Sequence, residues 1–471
     1  MPSLPVPEGF RGSAAKVTAR LRDAVAGPTP HRSQNVITLR DVAQPVRLLI
    51  ALLVPALFVP AAGQAQEAPV TPAGTAAAHP AGPVRTGLEV LLDNPPEALR
   101  GKRIGLITNP TGVGPDLRSD AELLAGRRDL RLVALFGPEH GIRGSSGAGS
   151  GVANTADPKT GLPVYSLYGD NRKPNPAMLR GLDVLVFDIQ DVGARFYTYV
   201  STMALAMQAA AENNLMFVVL DRPDPLGGEM VEGPVLDPRF SSFIGMYPIP
   251  IVHGMTVGEL AEYINTESHI NARLLVVKMD GWRRSMWFDQ TGLPWVMTSP
   301  GIPHFQTALL YPAMGPIGDT NFSVGVLTTK PFEFVGQTFV EPWRLRAALE
   351  RRHPGGVAFR EVYWAGEPWT DSGGPQYAGV EIRVTDRAAY RPMRLMLDIL
   401  ASVRQLYPTQ FQWGGRWGDK YVFDVDMGTD QVRRDFLAGS TPAQIEESWQ
   451  PALARFLQVR EKYLLYPSSG H

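Results

Sequence analysis

The sequence predicts an α/β protein, with a mostly parallel sheet domain followed by a smaller α+β C-terminal domain. Short apolar runs of strand type recur between residues 86 and 305: "RIGLITN" (103–109), "LRLVALF" (130–136), "DVLVFDI" (183–189), "LMFVVLD" (215–221) and "ARLLVVKM" (272–279). Their apolar character is continuous, as strands covered on both faces require. Helical segments separate several of them, the pattern of strand–helix–strand units. Beyond about residue 305 this alternation gives way to helices mixed with isolated strands, which suits an α+β domain.

Each element has a local reason. "RIGLITN" is closed by Asn-Pro, and "SDAELLAG" (119–126) follows as a short helix with Ser119 and Glu122 in capping-box spacing. "TYVSTMALAMQAAAENN" (198–214) is the clearest helix of the chain, and "TVGELAEYIN" (256–265) follows a proline-rich loop. Further helices are expected at about 342–351, 391–406 and 441–463, with a strand at "GVEIRVTD" (379–386). No internal repeat at solenoid periods is visible.

With 471 residues and 44% hydrophobic content, the chain is long enough for two domains with their own cores. A net charge of −1 gives no reason to expect nucleic acid or an anionic membrane as partner. The absence of cysteine excludes disulfides, thiolate metal sites, a cysteine nucleophile and a lipidated cysteine. At the N-terminus, Arg47 precedes "LLIALLVPALFVPAA" (48–62), and Gly63-Gln64-Ala65 offers a small-x-small cleavage site. That reads as a secretory signal peptide, with a buried core helix or a membrane anchor as the competing reading. The expected division is therefore a lead and signal peptide (1–65), a flexible Ala/Pro/Gly/Thr linker (66–85), the sheet domain (86–305) and the C-terminal domain (306–471). An exported protein follows, periplasmic or extracellular, with no stable membrane anchor after processing; the oligomeric state is open.

In an open parallel sheet, ligands bind outside the carboxyl ends of the strands. Asn109 lies at one such end, Glu139 and His140 past the next, Asp188 and Gln190 at a third, and Asp221 and Arg222 at a fourth. Glycine and proline in "ALFGPEHGIRG" (134–144) turn the chain sharply, so Glu139 can face the crevice, with Arg143 close behind. "DIQDVGARFYTYVSTM" (188–203) adds Arg195, Tyr197 and Tyr199 around a helix start, which suits a sugar platform or a solvated face equally. Taken singly, Asp188 or Asp221 reads as a helix cap. His140 reads as a hydrogen-bonding support and not a metal ligand, since no HExxH or histidine-rich spacing occurs. No metal or cofactor is expected. "KTG" (159–161) with "SAAK" (13–16) fails as a serine acyltransferase pair, because that serine precedes the signal peptide. "GSSGAGSG" (144–151) lacks the strand-to-helix context of a phosphate loop and reads as a mobile flap.

A set of long motifs in order carries a resemblance that runs from about residue 86 to the C-terminus. They are "IGLITNPTGV" (104–113), "LFGPEHGIRG" (135–144), "TGLPVYSLYG" (160–169), "FDIQDVGARFYTY" (187–199), "LDRPDPLGG" with "VEGPVLDP" (220–238), "YPIPIVHGMTVGELA" (247–261) and "MWFDQTGLPW" (286–295). The chain resembles the exo-β-N-acetylmuramidase family (NamZ-type, long labelled a domain of unknown function). The resemblance implies that the mostly parallel sheet domain is Rossmann-like and joined to the smaller C-terminal domain, with substrate bound in the cleft between them. It also implies release of N-acetylmuramic acid from non-reducing ends of peptidoglycan fragments, so muramyl saccharides are the expected partner. It implies that Glu139 is the catalytic glutamate, a general acid that calls for a partly buried, apolar setting. His140 and Asp188 join it as catalytic candidates. The second carboxylate stays open between Asp188, Asp191 and Asp224, or a substrate acetamido group takes its place; the carboxyl separation would distinguish retaining from inverting chemistry. Among the motif residues, Glu232, His253 and Asn321 are further substrate-binding candidates, beside Asn109, Arg143, Gln190, Arg195, Tyr197, Asp221 and Arg222. Two departures stand out. "TNFSVGVLT" (320–328) places Val326 and Leu327 where the family commonly has Arg and Gly, and "SPGIP" (299–303) places Gly301 where an asparagine often sits. A lost arginine bears on recognition of the lactyl carboxylate of muramic acid. The changed segment also motivates the competing expectation, a non-catalytic peptidoglycan-fragment binding protein.

Overall fold

The computed structural model describes residues 83–147, 155–326, 328–365 and 374–468. The lead, the signal peptide and most of the linker lie outside the described residues, as do the expected flap from residue 148 onward and Leu327. Seven strands form one sheet: β1 (Arg103–Thr108), β2 (Arg131–Gly137), β3 (Thr155–Ala156), β4 (Pro163–Ser166), β5 (Val184–Asp188), β6 (Met216–Leu220) and β7 (Arg273–Val277). Their order is β3-β4-β2-β1-β5-β6-β7, parallel throughout except for β3, which runs antiparallel to β4.

Side chains alternate across this sheet, yet both faces are buried. Ile104, Leu106, Val184, Val186, Val218 and Leu220 share one core with Leu88 and Leu91 of α1 (Gly87–Asp93) and Leu124 of α2 (Asp120–Ala125). Ile107, Leu185, Phe187, Phe217 and Val219 enter the other core, under α4 (Tyr199–Glu212) and α5 (Val257–Glu267), with the short α3 (Pro176–Leu179) contributing Met178 and Leu179. Removing such side chains from water is worth about 1.5–3 kcal/mol each, which is why the strands read as unbroken apolar runs. Helix starts follow the capping residues. The Ser119 hydroxyl accepts from the Glu122 N–H, while the Glu122 carboxylate returns to the Ser119 hydroxyl and not to its N–H. Thr256 and Glu259 form a complete reciprocal box at α5.

The second core continues unbroken into the C-terminal domain through Leu309, Leu345, Ile382, Leu397 and Phe423. That domain holds α6 (Phe305–Gly318), α7 (Pro342–Arg352), α8 (Pro392–Leu406), α9 (Val422–Met427), α10 (Gln431–Ala438) and α11 (Pro442–Arg460). They accompany an antiparallel sheet of β8 (Phe334–Gln337), β9 (Val357–Ala365) and β10 (Gln376–Val384), with β10 in the centre, and a short ribbon of β11 (Arg416–Trp417) and β12 (Lys420–Tyr421). Helix α6 has no counterpart in the sequence reading, because Pro312 and Pro316 fall inside it and proline normally breaks a helix. Its burial explains its survival: Ala308, Leu309, Leu310, Ala313, Met314 and Ile317 are all within the core.

Candidate active site

Strand β1 sits between β2 and β5, so the sheet changes its direction of growth there, and this switch point is where a ligand crevice is expected. Side chains fill it. Thr111, Gln190, Arg222 and Phe288 leave a cavity of about 20 Å³, room for about one water.

One strand further, β2 ends in Gly137 and the chain turns at once. A Cβ on Gly137 would come within 2.9 Å of the Ile142 nitrogen, and His140 and Gly141 both take left-handed backbone, φ 69° and 74°. That conformation is costly for histidine. The His140 ring is tied down in return, Nδ1 donating to the Ser146 carbonyl at 2.7 Å.

The turn leaves Glu139 half-buried. Thr198, the residue before α4, donates from Oγ1 to Glu139 Oε2 at 2.9 Å. Tyr168, just past β4, hydrogen-bonds the same carboxylate. Burial first, then the Glu139 charge and that hydrogen bond, push the Tyr168 hydroxyl up to about 12. The setting is thus polar where the sequence reading called for an apolar one: the loops after β2 and β4 and the start of α4 converge on one carboxylate. Arg172 lies 4.4 Å over the Phe243 ring and 5.9 Å from the centre of the Tyr168 ring, placing a cation and two rings beside the acid.

From α6, Tyr311 comes within electrostatic reach of Glu139. Its ring meets Tyr197 and Phe332 edge-on at 5.8 and 4.9 Å. Tyr311 also lines a pocket of about 470 Å³ with Phe322, Phe332, Trp364, Tyr377, Asp319 and Asp426. Glu139 is not part of that lining. The acid belongs to the sheet domain, the pocket to the C-terminal domain, and Tyr311 stands between them. The volume lies in the range of small-molecule sites.

The other candidates are deployed as follows. Asp188 is fully buried and accepts from Arg222 Nε at 2.5 Å and from a second guanidinium nitrogen at 3.0 Å. Asp120 stands beside this pair, raised well above the carboxylate range by burial and then by the Asp188 charge. Asp221 is fully buried and accepts from the Gly258 N–H, the Thr256 hydroxyl and the Tyr466 hydroxyl, joining α5 to the C-terminal segment. Arg195 donates to the carbonyls of Pro234, Ile249 and Asp426 and so braces the two domains. Tyr197 and Tyr199 both donate to Thr298, and Asn109 accepts from Thr111 and reaches the same Thr298 carbonyl. Gln190 donates to the carbonyls of Asp191 and Pro223. His253 is fully buried, its Nδ1 accepting from the Met255 N–H, with Asp191 and Asp224 at 3.5 and 3.6 Å. Glu232 accepts from the Met393 N–H, Arg143 pairs with Asp157, and Asn321 pins residues 410–412. Most of the strand-end cluster therefore forms an internal brace beneath Glu139. Thr198, Tyr168, Tyr311, Asp319 and Asp426 were missed. Tyr168 and Asp319 stand in or beside quoted motifs, whereas Asp426 has no comparable signal. Among the described residues, no three His, Asp or Glu side chains converge as metal ligands would.

The braces have a pH signature. Asp221, Asp224 and Glu232 are each raised to about 7, in every case by burial first. A carboxyl whose folded pKa exceeds its unfolded value holds its proton more tightly when folded, so stability falls as pH rises between the two. Asp129 and Asp183, held down to about 2 by hydrogen bonds from Arg127 and Arg103, lose their contribution only in more acidic solution. The protein is expected to unfold at a higher temperature at pH ~5 than at pH ~8. Calorimetry showing the reverse order would mean that these carboxyls are ionised and satisfied at neutral pH.

What fold and site define is an α/β enzyme with a glutamate past the carboxyl end of a sheet strand and a ring-lined pocket in the adjoining domain. Residues 104–306 match the N-terminal model and residues 309–466 the C-terminal model of exo-β-N-acetylmuramidase NamZ. The chain is 46% identical over 383 residues to the peptidoglycan β-N-acetylmuramidase NamZ of Bacillus subtilis (strain 168), covering 81% of this chain and 91% of that protein. Two crystal structures of DUF1343 family proteins from Bacteroides fragilis superpose with TM-scores of 0.75 and 0.63, at 40% and 29% identity. Each covers 82% of this chain and 99% of its own. The chain belongs to the NamZ exo-β-N-acetylmuramidase family and is a glycoside hydrolase of that family.

Proposed function

We propose that this protein is an exported, exo-acting muramidase that releases N-acetylmuramic acid from non-reducing ends of peptidoglycan fragments, with Glu139 as general acid. The observation that carries the acid role is the geometry of Glu139: a half-buried carboxyl presented on a turn past the carboxyl end of β2 and oriented by the Thr198 and Tyr168 hydroxyls. Protonated, it delivers its hydrogen to the glycosidic oxygen as the bond to the anomeric carbon breaks. The Thr198 bond to Oε2 holds the carboxyl plane, so the proton is presented in one direction. Asp188 is committed to Arg222, which makes it a poor base or nucleophile. The substrate class is supported by the family membership and by the 46% identity to the Bacillus subtilis enzyme. Export is supported by the apolar run at 48–62 after Arg47, and a mature N-terminus near residues 64–66 is the expected finding by mass spectrometry.

Incubation with a chromogenic N-acetylmuramide and with the MurNAc–GlcNAc disaccharide tests the activity. Release of N-acetylmuramic acid is expected; binding of both without turnover would favour a non-catalytic binder instead. Thr198→Val keeps the volume and removes the hydroxyl. It is expected to lower kcat by roughly 3–10-fold with little change in thermal midpoint, the size of one hydrogen bond. Unaltered kcat would remove Thr198 from the setting of the acid.

A further inference from the structure

Asp319, the C-terminal cap of α6, and Asp426 of α9 both line the 470 Å³ pocket, within hydrogen-bonding reach of each other. Asp319 Oδ2 is buried and receives no hydrogen bond from any N–H or hydroxyl donor of the fold. The surrounding main chain is already engaged: the Asp319 carbonyl accepts from the Gly414 N–H at 2.7 Å, and the Asp426 carbonyl accepts from Arg195 at 2.7 Å. The charged and titratable neighbours of the pair are Arg195 and Tyr311. Arg195 gives its hydrogens to carbonyl oxygens and to neither carboxyl.

Both carboxyls are partly buried, and two carboxyls this close resist being ionised together, so a proton stays between them. Burial, and then the Asp426 charge, raise Asp319 far above the usual carboxylate range. Burial also raises Asp426, but the Asp319 hydrogen bond and the Arg195 charge pull it back. Asp319 is accordingly the donor and Asp426 the acceptor.

A buried polar pair that serves the fold alone is normally satisfied by its surroundings. Here a carboxyl oxygen that no donor of the fold satisfies stands beside a cavity walled by Phe322, Phe332, Trp364 and Tyr377. Aromatic faces are what a pyranose ring packs on, and a mixed donor–acceptor pair is what its substituents need. The described lining contains no lysine or arginine, and Val326, 50% exposed, stands at the wall. An anionic substituent would meet carboxyls there, with no cation on the described pocket wall to pair with it.

We propose that Asp319 and Asp426 form a proton-sharing carboxyl pair that binds a neutral polar substituent of the sugar, a hydroxyl or an acetamido group. On binding, the Asp319 hydrogen turns from Asp426 to the oxygen of that substituent, and Asp426 accepts the substituent's own O–H or N–H. The pocket takes the uncharged side of the sugar, and a lactyl carboxylate points away from it. This inference rests on the muramidase reading and adds the residues that select the sugar's orientation.

The test uses the full-length protein with Asp319→Ala, Asp319→Asn and Asp426→Asn. Difference infrared spectra of the wild type minus Asp319→Asn, which need no substrate, are expected to show one protonated-carboxyl component lost at neutral pH, over the components that Asp120 and the other raised carboxyls contribute to both proteins. With the MurNAc–GlcNAc disaccharide, Asp319→Ala and Asp426→Asn are expected to raise KM by roughly 10-fold while kcat changes far less. Asp319→Asn should recover most of the loss seen with alanine, since its amide still donates; it also covers the case in which the alanine variant fails to fold. As pH rises the pair loses its proton, so kcat/KM of the wild type should fall in the alkaline range, and Asp319→Asn should flatten that fall. A difference spectrum with no protonated-carboxyl component lost in Asp319→Asn would overturn the shared proton. Unchanged KM in Asp426→Asn, or an alkaline fall that survives in Asp319→Asn, would overturn the binding role. A wild type inert towards every muramyl substrate would overturn the enzymatic reading and the binding role with it, while the infrared band would still report on the pair.

Discussion

Glu139→Gln is expected to lower turnover of the MurNAc–GlcNAc disaccharide by roughly 10²–10⁴-fold, the range typical of a lost general acid. Glutamine keeps the shape and still accepts from the Thr198 and Tyr168 hydroxyls, but it has no proton to deliver. The fold should survive, because the side chain is half-buried on a turn and takes no part in either core. A nitrophenyl leaving group needs little protonation, so the same variant should lose far less on a nitrophenyl muramide. Equal losses on both would move Glu139 from acid to nucleophile or base. The two leaving groups therefore assign the role as well as the residue.

The second large effect is on stability. Arg222→Met would leave Asp188, fully buried, and Asp120 beside it without their shared cation. Breaking a buried ion pair in this way costs about 3–5 kcal/mol, a large share of the stability of most domains. The denaturant midpoint is expected to fall accordingly, with an unchanged slope if the unfolded state is unaffected. Asp188→Asn is the informative companion. If Asp188 serves the fold, stability falls and kcat of the surviving folded protein stays within a few-fold. A kcat loss as deep as that of Glu139→Gln at undiminished stability would return Asp188 to the chemistry.

The parallel sheet was legible because strands covered on both faces must be apolar along their length, and "DVLVFDI" and "LMFVVLD" are. The Glu139 turn was legible because glycine on both sides leaves the chain few other courses. The partners of the strand-end carboxylates were not. A sequence places Asp188 at the end of β5 but does not say whether it faces the crevice or the Arg222 guanidinium that follows β6. The same holds for Asp221, whose acceptors are filled by α5 and by Tyr466 from the far end of the chain. Helix α6 was hidden by its two prolines, which count against a helix locally and are overruled by burial. With α6 unread, Tyr311 and Asp319 had no place near the site, and Asp426 comes to them only through the packing of α9.

The central claim is release of single muramic acid units from one chain end through acid catalysis by Glu139. Its most direct test follows the products from a defined MurNAc–GlcNAc–MurNAc–GlcNAc tetrasaccharide over time, by chromatography with mass detection, for the wild type and Glu139→Gln. The account predicts free N-acetylmuramic acid together with the GlcNAc–MurNAc–GlcNAc trisaccharide from the wild type, no cleavage of the internal MurNAc–GlcNAc bond to MurNAc–GlcNAc–MurNAc and free GlcNAc, and neither product at a comparable rate from the variant. MurNAc–GlcNAc–MurNAc and free GlcNAc as first products, or wild-type rates from Glu139→Gln, would contradict it.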